Sequence, residues 1–171
     1  MSQYPPLQVF NQADQPVGEA SLREIYDKGL WHRVVIIAVY DPTGNLLLQR
    51  RGAKVATNPN CWDISAAGHV DAAEDYYGAA KRELGEELGI KNVELSEIAH
   101  YQSKAIIDGY KLKRLLKIFK VVVPADTTFV IDHEEVTEVR WISPDELKRS
   151  LAAQPKEFSD NFGEILSKLQ A

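Results

Sequence analysis

The sequence predicts an α/β or α+β domain in which a mixed β-sheet lies between helices. Three observations carry this. Short apolar, β-branched runs such as residues 34–40 alternate with segments of helical periodicity such as 75–88. The alternation keeps no regular strand–helix–strand rhythm, so a purely parallel sheet is not expected. The 171 residues, 44% of them hydrophobic, suit one core that buries roughly 70% of the unfolded surface. Pattern alone does not choose between the two classes.

The chain opens with a short strand, Leu7 to Phe10, and a turn from Asn11 to Pro16. A small helix follows, because Ser21-Leu-Arg-Glu24 is a capping box and Gly29 is a natural stop. Val34 to Tyr40 is apolar on both faces and reads as a central strand. Asp41 to Asn45 is turn chemistry, with Leu46 to Arg50 as the returning strand. Residues 51–61 read as a loop, and Trp62 to Ala67 as one strand ending at Gly68. Helical spacing from about Asp75 to Leu88 gives an apolar stripe of Tyr77, Ala80, Leu84 and Leu88, with Gly89 as C-cap. Val93 to Ala105 and Lys111 to Val123 form two long strands joined around Asp108-Gly109, and Pro124 ends the second. Val139 to Ile142 is a last strand. Ser143-Pro-Asp-Glu146 opens a helix, and a final helix near Phe158 to Leu169 closes the chain.

Composition narrows the function. With 20 Lys+Arg against 25 Asp+Glu the net charge is −5, whereas nucleic-acid and anionic-membrane binders are normally basic. No apolar run approaches the ~20 residues of a membrane span, and the N-terminus lacks a secretory layout. A lone Cys61 excludes an intramolecular disulfide framework. The expectation is a soluble, cytoplasmic, single-domain protein, monomer or homodimer.

The chemistry concentrates in residues 68–90, GHVDAAEDYYGAAKRELGEELGI. On a helix Glu83 and Glu87 lie one turn apart with Glu86 beside them, their Cβ atoms about 5–6 Å apart. In a cleft each like-charge pair costs about 3 kcal/mol at an effective dielectric near 20, a cost a hard cation such as Mg²⁺ removes. On carboxylates alone a solvated helix face is the better reading. The spacing reverses this. Gly68, Glu74 and the run Arg82-Glu83-Leu84-Gly85-Glu86-Glu87-Leu88-Gly89-Ile90 fill every specified position of the pattern G-x5-E-x7-R-E-U-x-E-E-x-G-U, where U is bulky and apolar. A chance match is on the order of 10⁻⁹ per starting point.

This pattern resembles the Nudix box. The resemblance implies the Nudix fold, a mixed sheet between helices with a loop–helix–loop catalytic element, over 1–171 with a core at about 30–150. It also implies Mg²⁺-dependent cleavage of an organic diphosphate, with Mn²⁺ as a substitute, on a small-molecule substrate such as a nucleoside di- or triphosphate. Carried over by position, Glu83, Glu86, Glu87 and the carbonyl of Ala67 coordinate the metal. Glu74, Arg82 and Gly89 support them, and Arg82 orients the carboxylates. A further glutamate before Trp141 is expected from outside the box, Glu135 being better spaced than Glu138. Glu83 and Glu135 are both candidates for the general base.

Beyond the box, His32, Leu48-Gln-Arg-Arg51, Cys61-Trp62 and Ser65-Ala-Ala-Gly-His69 are similar to the branch that contains type I isopentenyl-diphosphate isomerase. That enzyme needs a cysteine just before the box glycine, where this chain has Ala67. His32 and His69 match two histidines of its metal site, but Ile25 replaces another, and Leu112 and Arg114 stand at its glutamates. The hydrolase reading therefore takes precedence over isomerisation, and over a silent Nudix-fold binding module, because the box glutamates are complete.

Other residues have a functional and a structural reading. Arg50 and Arg51 end a strand and suit phosphate oxygens, though a solvated strand end explains them equally. Gly68 and His69 lie at the mouth of the catalytic loop, where His69 touches substrate or is merely solvated. His32 reads as structural. The run Lys111, Lys113, Arg114 and Lys117 is better explained as a charged sheet edge than as a substrate surface. Trp62 and Trp141 read as packing, Trp31 stays open, and Tyr101 and Tyr110 are weak pocket candidates. Cys61 has no activating neighbour.

Overall fold

The computed structural model describes residues 6–170. Strand β3 (Trp31–Tyr40) is the axis of a nine-stranded mixed sheet. It runs parallel to β8 (Tyr110–Val122) over its whole length, from Trp31 opposite Lys113 to Tyr40 opposite Val122. It is antiparallel to β1 (Leu7–Phe10), β4 (Leu46–Arg51) and β6 (Ala66–His69). Its apolar residues on both faces are what this position requires: Val35, Ile37, Ala38 and Val39 are fully buried.

The two faces carry different helices. Val35, Ile37, Val39 and Leu47 pack against α2 (Tyr76–Leu88) through Ala79, Ala80, Leu84 and Leu88. Val34, Ile36, Ala38 and Leu48 pack against α3 (Pro144–Ala153) and α4 (Phe162–Leu169) through Leu147, Phe162 and Ile165. The sheet therefore lies between helices, as expected. The short helix α1 (Leu22–Lys28) seals the β1 end, with Ile25 buried against Leu7 and Val9.

Several boundaries differ from the sequence reading. Residues after the first turn form a strand, β2 (Pro16–Ala20), hairpinned onto β1. It is largely exposed and has no apolar periodicity to reveal it. The expected strand from Trp62 to Ala67 is two: β5 (Trp62–Asp63) pairs with β4, and β6 pairs with β3. Ser65 makes the switch, donating from Oγ to the Leu47 carbonyl at 2.6 Å and accepting from the Val39 N–H at 2.9 Å. The apolar stripe of α2 uses Tyr76 rather than Tyr77 as its buried aromatic. β7 (Ser96–Ile107) starts later than expected, and β9 (Val136–Ile142) starts earlier.

The basic run is not at an edge. β8 lies between β3 and β7 and is hydrogen-bonded to both, so the aggregation-blocking explanation fails. Arg114 is instead buried at 9% exposure.

Candidate active site

Helix α2 starts on Asp75, whose carboxylate accepts from the Gly78 N–H at 2.8 Å. It ends at Gly89, in the left-handed region at φ 71°. Glu83 and Glu87, at i and i+4, share the stripe that holds Ala79, Ala80 and Leu84. They are therefore buried, at 8% and 4% exposure. Carboxylates are rarely placed so deep without a partner.

Local geometry holds Glu83 in place. Strand β6 passes so close that a Cβ on Gly68 would overlap the Glu83 carboxyl group, whose Oε2 would be 2.6 Å away. Glycine is needed here for close approach. Arg82 then ties the element together. Its Nε and Nη2 donate to Glu74 at 3.0 and 2.9 Å, Nη1 to Glu83 at 2.7 Å and to Glu86 at 3.1 Å, and Nη2 also to the His69 carbonyl at 2.9 Å. One planar guanidinium thus spans the loop, strand β6 and the helix.

Glu87 is less well served. Its Oε2 is buried with no hydrogen-bond partner. Burial pushes its carboxyl well above the usual carboxylate range, and the charges of Glu83 and Glu135 add to the rise, while a hydrogen bond with Gln49 opposes it. Burial likewise raises Glu83 to about 7, against the opposing pull of Arg82. Glu135 acts on both carboxylates, whereas Glu138 is exposed on β9. The segment after Pro124 delivers Glu135 by closing the end of α2. The Val130 N–H bonds the Leu88 carbonyl at 3.0 Å, and the Gly52 N–H then bonds the Glu135 carbonyl at 2.7 Å. Gly89 also makes room here, because a Cβ on it would lie 2.8 Å from Val130.

The donor set fits a hard divalent cation. It consists of oxygens only, includes the unpartnered Glu87 Oε2, and gathers four carboxylates whose mutual repulsion a cation relieves. Among the described residues no three such groups already converge at metal-binding geometry. Two of the four, Glu83 and Glu86, are turned to the same Arg82 nitrogen. A cation held there would compete with that nitrogen for both carboxylates.

The remaining candidates divide. Arg50 is drawn to Glu157 at 3.7 Å and over Trp62, and does not join the carboxylates. Arg51 does approach, acting on Glu87 while its Nη1 meets Asp63 at 3.5 Å. His69 and His32 stand with ring centroids 5.3 Å apart, and Tyr26 Oη is 3.3 Å from His69 Nε2. Burial lowers both, to about 4 for His32 and about 3 for His69, so both are neutral near pH 7. Arg114 lies opposite His32 in the β3–β8 register, with Leu112 two residues before it. The positions aligned with the isomerase cation site are thus neighbours in space, but they hold a cation and apolar groups. Ile25 points into the α1 cluster instead. Trp62 packs in the core, and Trp141 packs edge-on against Phe129. Trp31 is buried with Phe10 and Leu115. A roomier cavity of about 490 Å³ lies between α3, α4 and the β3–β4 turn, away from every one of these carboxylates.

Gln49 was not foreseen. Its signal was a polar residue at an inward-facing position of the apolar strand Leu46–Arg51, where it is 2% exposed.

The family profile described as NUDIX domain matches residues 30–162. The chain belongs to the Nudix family. An uncharacterised Nudix hydrolase of Pseudomonas aeruginosa is 33% identical over 135 residues, 79% of this chain and 76% of that protein. The isopentenyl-diphosphate Delta-isomerase 2 of Photorhabdus laumondii is 29% identical over 164 residues, 95% and 91% of the two chains. A crystal structure from Deinococcus radiodurans shares the fold at a TM-score of 0.77 and 21% identity, covering 96% of this chain and 98% of that one. The chain is a Nudix hydrolase of the isomerase-like branch. No helix among the described residues is long and apolar enough to cross a membrane.

Proposed function

We propose that this Nudix hydrolase cleaves a diphosphate linkage in a nucleotide or other small organic diphosphate, nucleoside di- and triphosphates foremost, using Mg²⁺ or Mn²⁺. The observation that carries this is the buried, unpartnered Oε2 of Glu87 facing Glu83 and Glu135. An arrangement of like charges this deep is costly unless a cation shares it. Glu83, Glu86, Glu87 and Glu135, with the Ala67 carbonyl, would hold that ion. It would supply neutralisation of the diphosphate charge and a more acidic water for in-line attack.

The chain's own groups do the rest. Arg82 keeps the loop, strand β6 and the helix in register through Glu74 and the His69 carbonyl. Glu83 or Glu135 takes the proton from the attacking water. Arg51, Gly68 and His69 border the substrate, Gly68 and His69 because β6 runs alongside the carboxylates. Arg50 lies on the far side of Arg51 and meets only a long substrate.

A screen for phosphate and pyrophosphate release tests this, over nucleotides, nucleotide sugars, dinucleoside polyphosphates, coenzyme A and thiamine diphosphate. The native protein is expected to hydrolyse at least one class with Mg²⁺, and Glu87→Gln to lose about 100-fold or more in kcat, of the order of one electrostatic contact to the reacting group. Activity that survives Glu87→Gln with the same Mg²⁺ dependence overturns the assignment.

A further inference from the structure

Arg114 sits in the middle of β8 at 9% exposure, and its Nε and Nη2 have no hydrogen-bond partner. Its acidic neighbours are engaged elsewhere. Asp63 meets Arg51 at 3.5 Å and accepts from the Ile64 N–H at 2.8 Å, and Glu164 accepts from Ser103 Oγ at 2.9 Å. Across the strand pair, His32 faces it as a neutral imidazole whose Nε2 also lacks a partner. A buried guanidinium with idle donors is an expensive feature to keep.

The arginine borders a cavity of about 60 Å³ whose polar lining is Arg51, Thr57, Asn58, Asp63 and Asn161 and whose remaining lining, Ala67 included, is aliphatic and comes largely from the α3/α4 face of the sheet. That is room for more than one water and for a small tetrahedral oxyanion. Two arginines against one aspartate leave the wall with a surplus positive charge. The cavity adjoins the catalytic element at two points, since Ala67 precedes Gly68 and Arg51 also acts on Glu87.

We propose that Arg114 and Arg51 form an anion subsite in this cavity that takes one phosphoryl oxyanion. The planar fork of a guanidinium matches paired phosphate oxygens; Arg114 offers its unpartnered Nε and Nη2, while Arg51 meets Asp63 at 3.5 Å and donates from Nε to the Thr57 carbonyl at 3.0 Å. Two sources share this chemistry: a phosphoryl group of the substrate beyond the one being cleaved, and the inorganic phosphate set free. Both source assignments rest on the hydrolase reading; oxyanion binding itself does not.

The test is thermal melting of the full chain in EDTA, with inorganic phosphate titrated against potassium chloride at constant ionic strength. A saturable rise in Tm with phosphate is expected for the native protein and equally for Glu87→Gln. Arg114→Met is expected to melt higher than native in chloride, because an unpaired buried cation is gone, and to show no phosphate-dependent rise. Arg114→Lys, which keeps the charge without the fork, is expected to bind phosphate about tenfold or more weakly. A native Tm that responds to phosphate no more than to chloride overturns the subsite, leaving only water in the cavity. So does a full phosphate response in Arg114→Met. Kinetics then separate the sources. If the occupant belongs to the substrate, Arg114→Met raises KM about 10- to 100-fold with kcat within about twofold. If it is free phosphate, KM holds and inhibition by phosphate disappears. Failure of every candidate substrate leaves the phosphate melting result standing, and failure of the melting result leaves the Glu87 assignment untouched.

Discussion

Replacing Gly68 with alanine perturbs the candidate site by one methyl group. The added Cβ falls inside van der Waals range of three atoms of the Glu83 carboxyl group, the farthest at 2.6 Å. Strand β6 cannot retreat freely, because Gly68 is paired with Val35 of the central strand. Glu83 must therefore move. Overpacking of this kind costs about 1–3 kcal/mol. Displacing the carboxyl also breaks its 2.7 Å bond to Arg82, a charge-assisted contact worth about 1.5–3 kcal/mol. If the reaction depends on Glu83 seated against β6, misplacing its carboxyl appears as a roughly 10- to 150-fold fall in kcat/KM. Urea unfolding and steady-state kinetics measure the two effects. A double-mutant cycle isolates the cause: in a Glu83→Ala background, where the carboxyl is gone, Gly68→Ala should cost under about 0.5 kcal/mol. Equal destabilisation in both backgrounds, or native-like activity of Gly68→Ala, would refute the seating of Glu83 against β6.

Three further outcomes follow from the same geometry. Arg82→Met removes the contacts to Glu74, Glu83, Glu86 and the His69 carbonyl at once; unfolding stability should fall by about 3 kcal/mol, and a loss under about 1 kcal/mol would contradict the clamp. Without divalent cations, stability should fall as pH rises from 6.5 through about 7, because folded Glu83 (about 7) and Glu87, raised well above the carboxylate range by burial, hold protons that the unfolded chain released near 4.5. Below 6.5 the depressed His32 and His69 act oppositely, stability rising with pH as the unfolded histidines deprotonate. The falling limb is therefore read by urea midpoints as pH rises from 6.5 through about 7, and it should be shallower in Glu87→Gln. Ala67→Cys supplies the thiol of the isomerase branch but should give no allylic isomer in a product assay, since Arg114 stands where the cation site would need a carboxylate.

Much of this site could be read from residue order, because its spacing is local. Gly68, Glu74 and the Arg82–Ile90 run belong to one loop–helix–loop, where 3.6 residues per turn decides which side chains meet. The caps at Ser21, Asp75 and Ser143 are local in the same way. What escaped depends on pairing between distant segments. Nothing near Arg114 says that β8 runs between β3 and β7, so a row of basic residues looked like an edge. Gln49 meets Glu87 only through the packing of β4 under α2. The break at Ile64-Ser65 exists because Ser65 bridges β3 and β4, a contact between three strands. The preference for Glu135 over Glu138 was legible in its spacing before Trp141, but its physical cause, the segment that caps α2 through Leu88 and Glu87, was not.

Calorimetric titration of the metal-free protein with Mg²⁺ and Mn²⁺ at pH 7, in buffers of different ionisation enthalpy, asks the most direct question of the carboxylate cluster. Saturable binding with net proton release is the expected result, because Glu83 and Glu87 are held partly protonated until a cation arrives, and Glu87→Gln should weaken binding and cut the proton count. Absence of saturable binding in the native protein, or binding unchanged in strength and proton release by Glu87→Gln, would contradict the account.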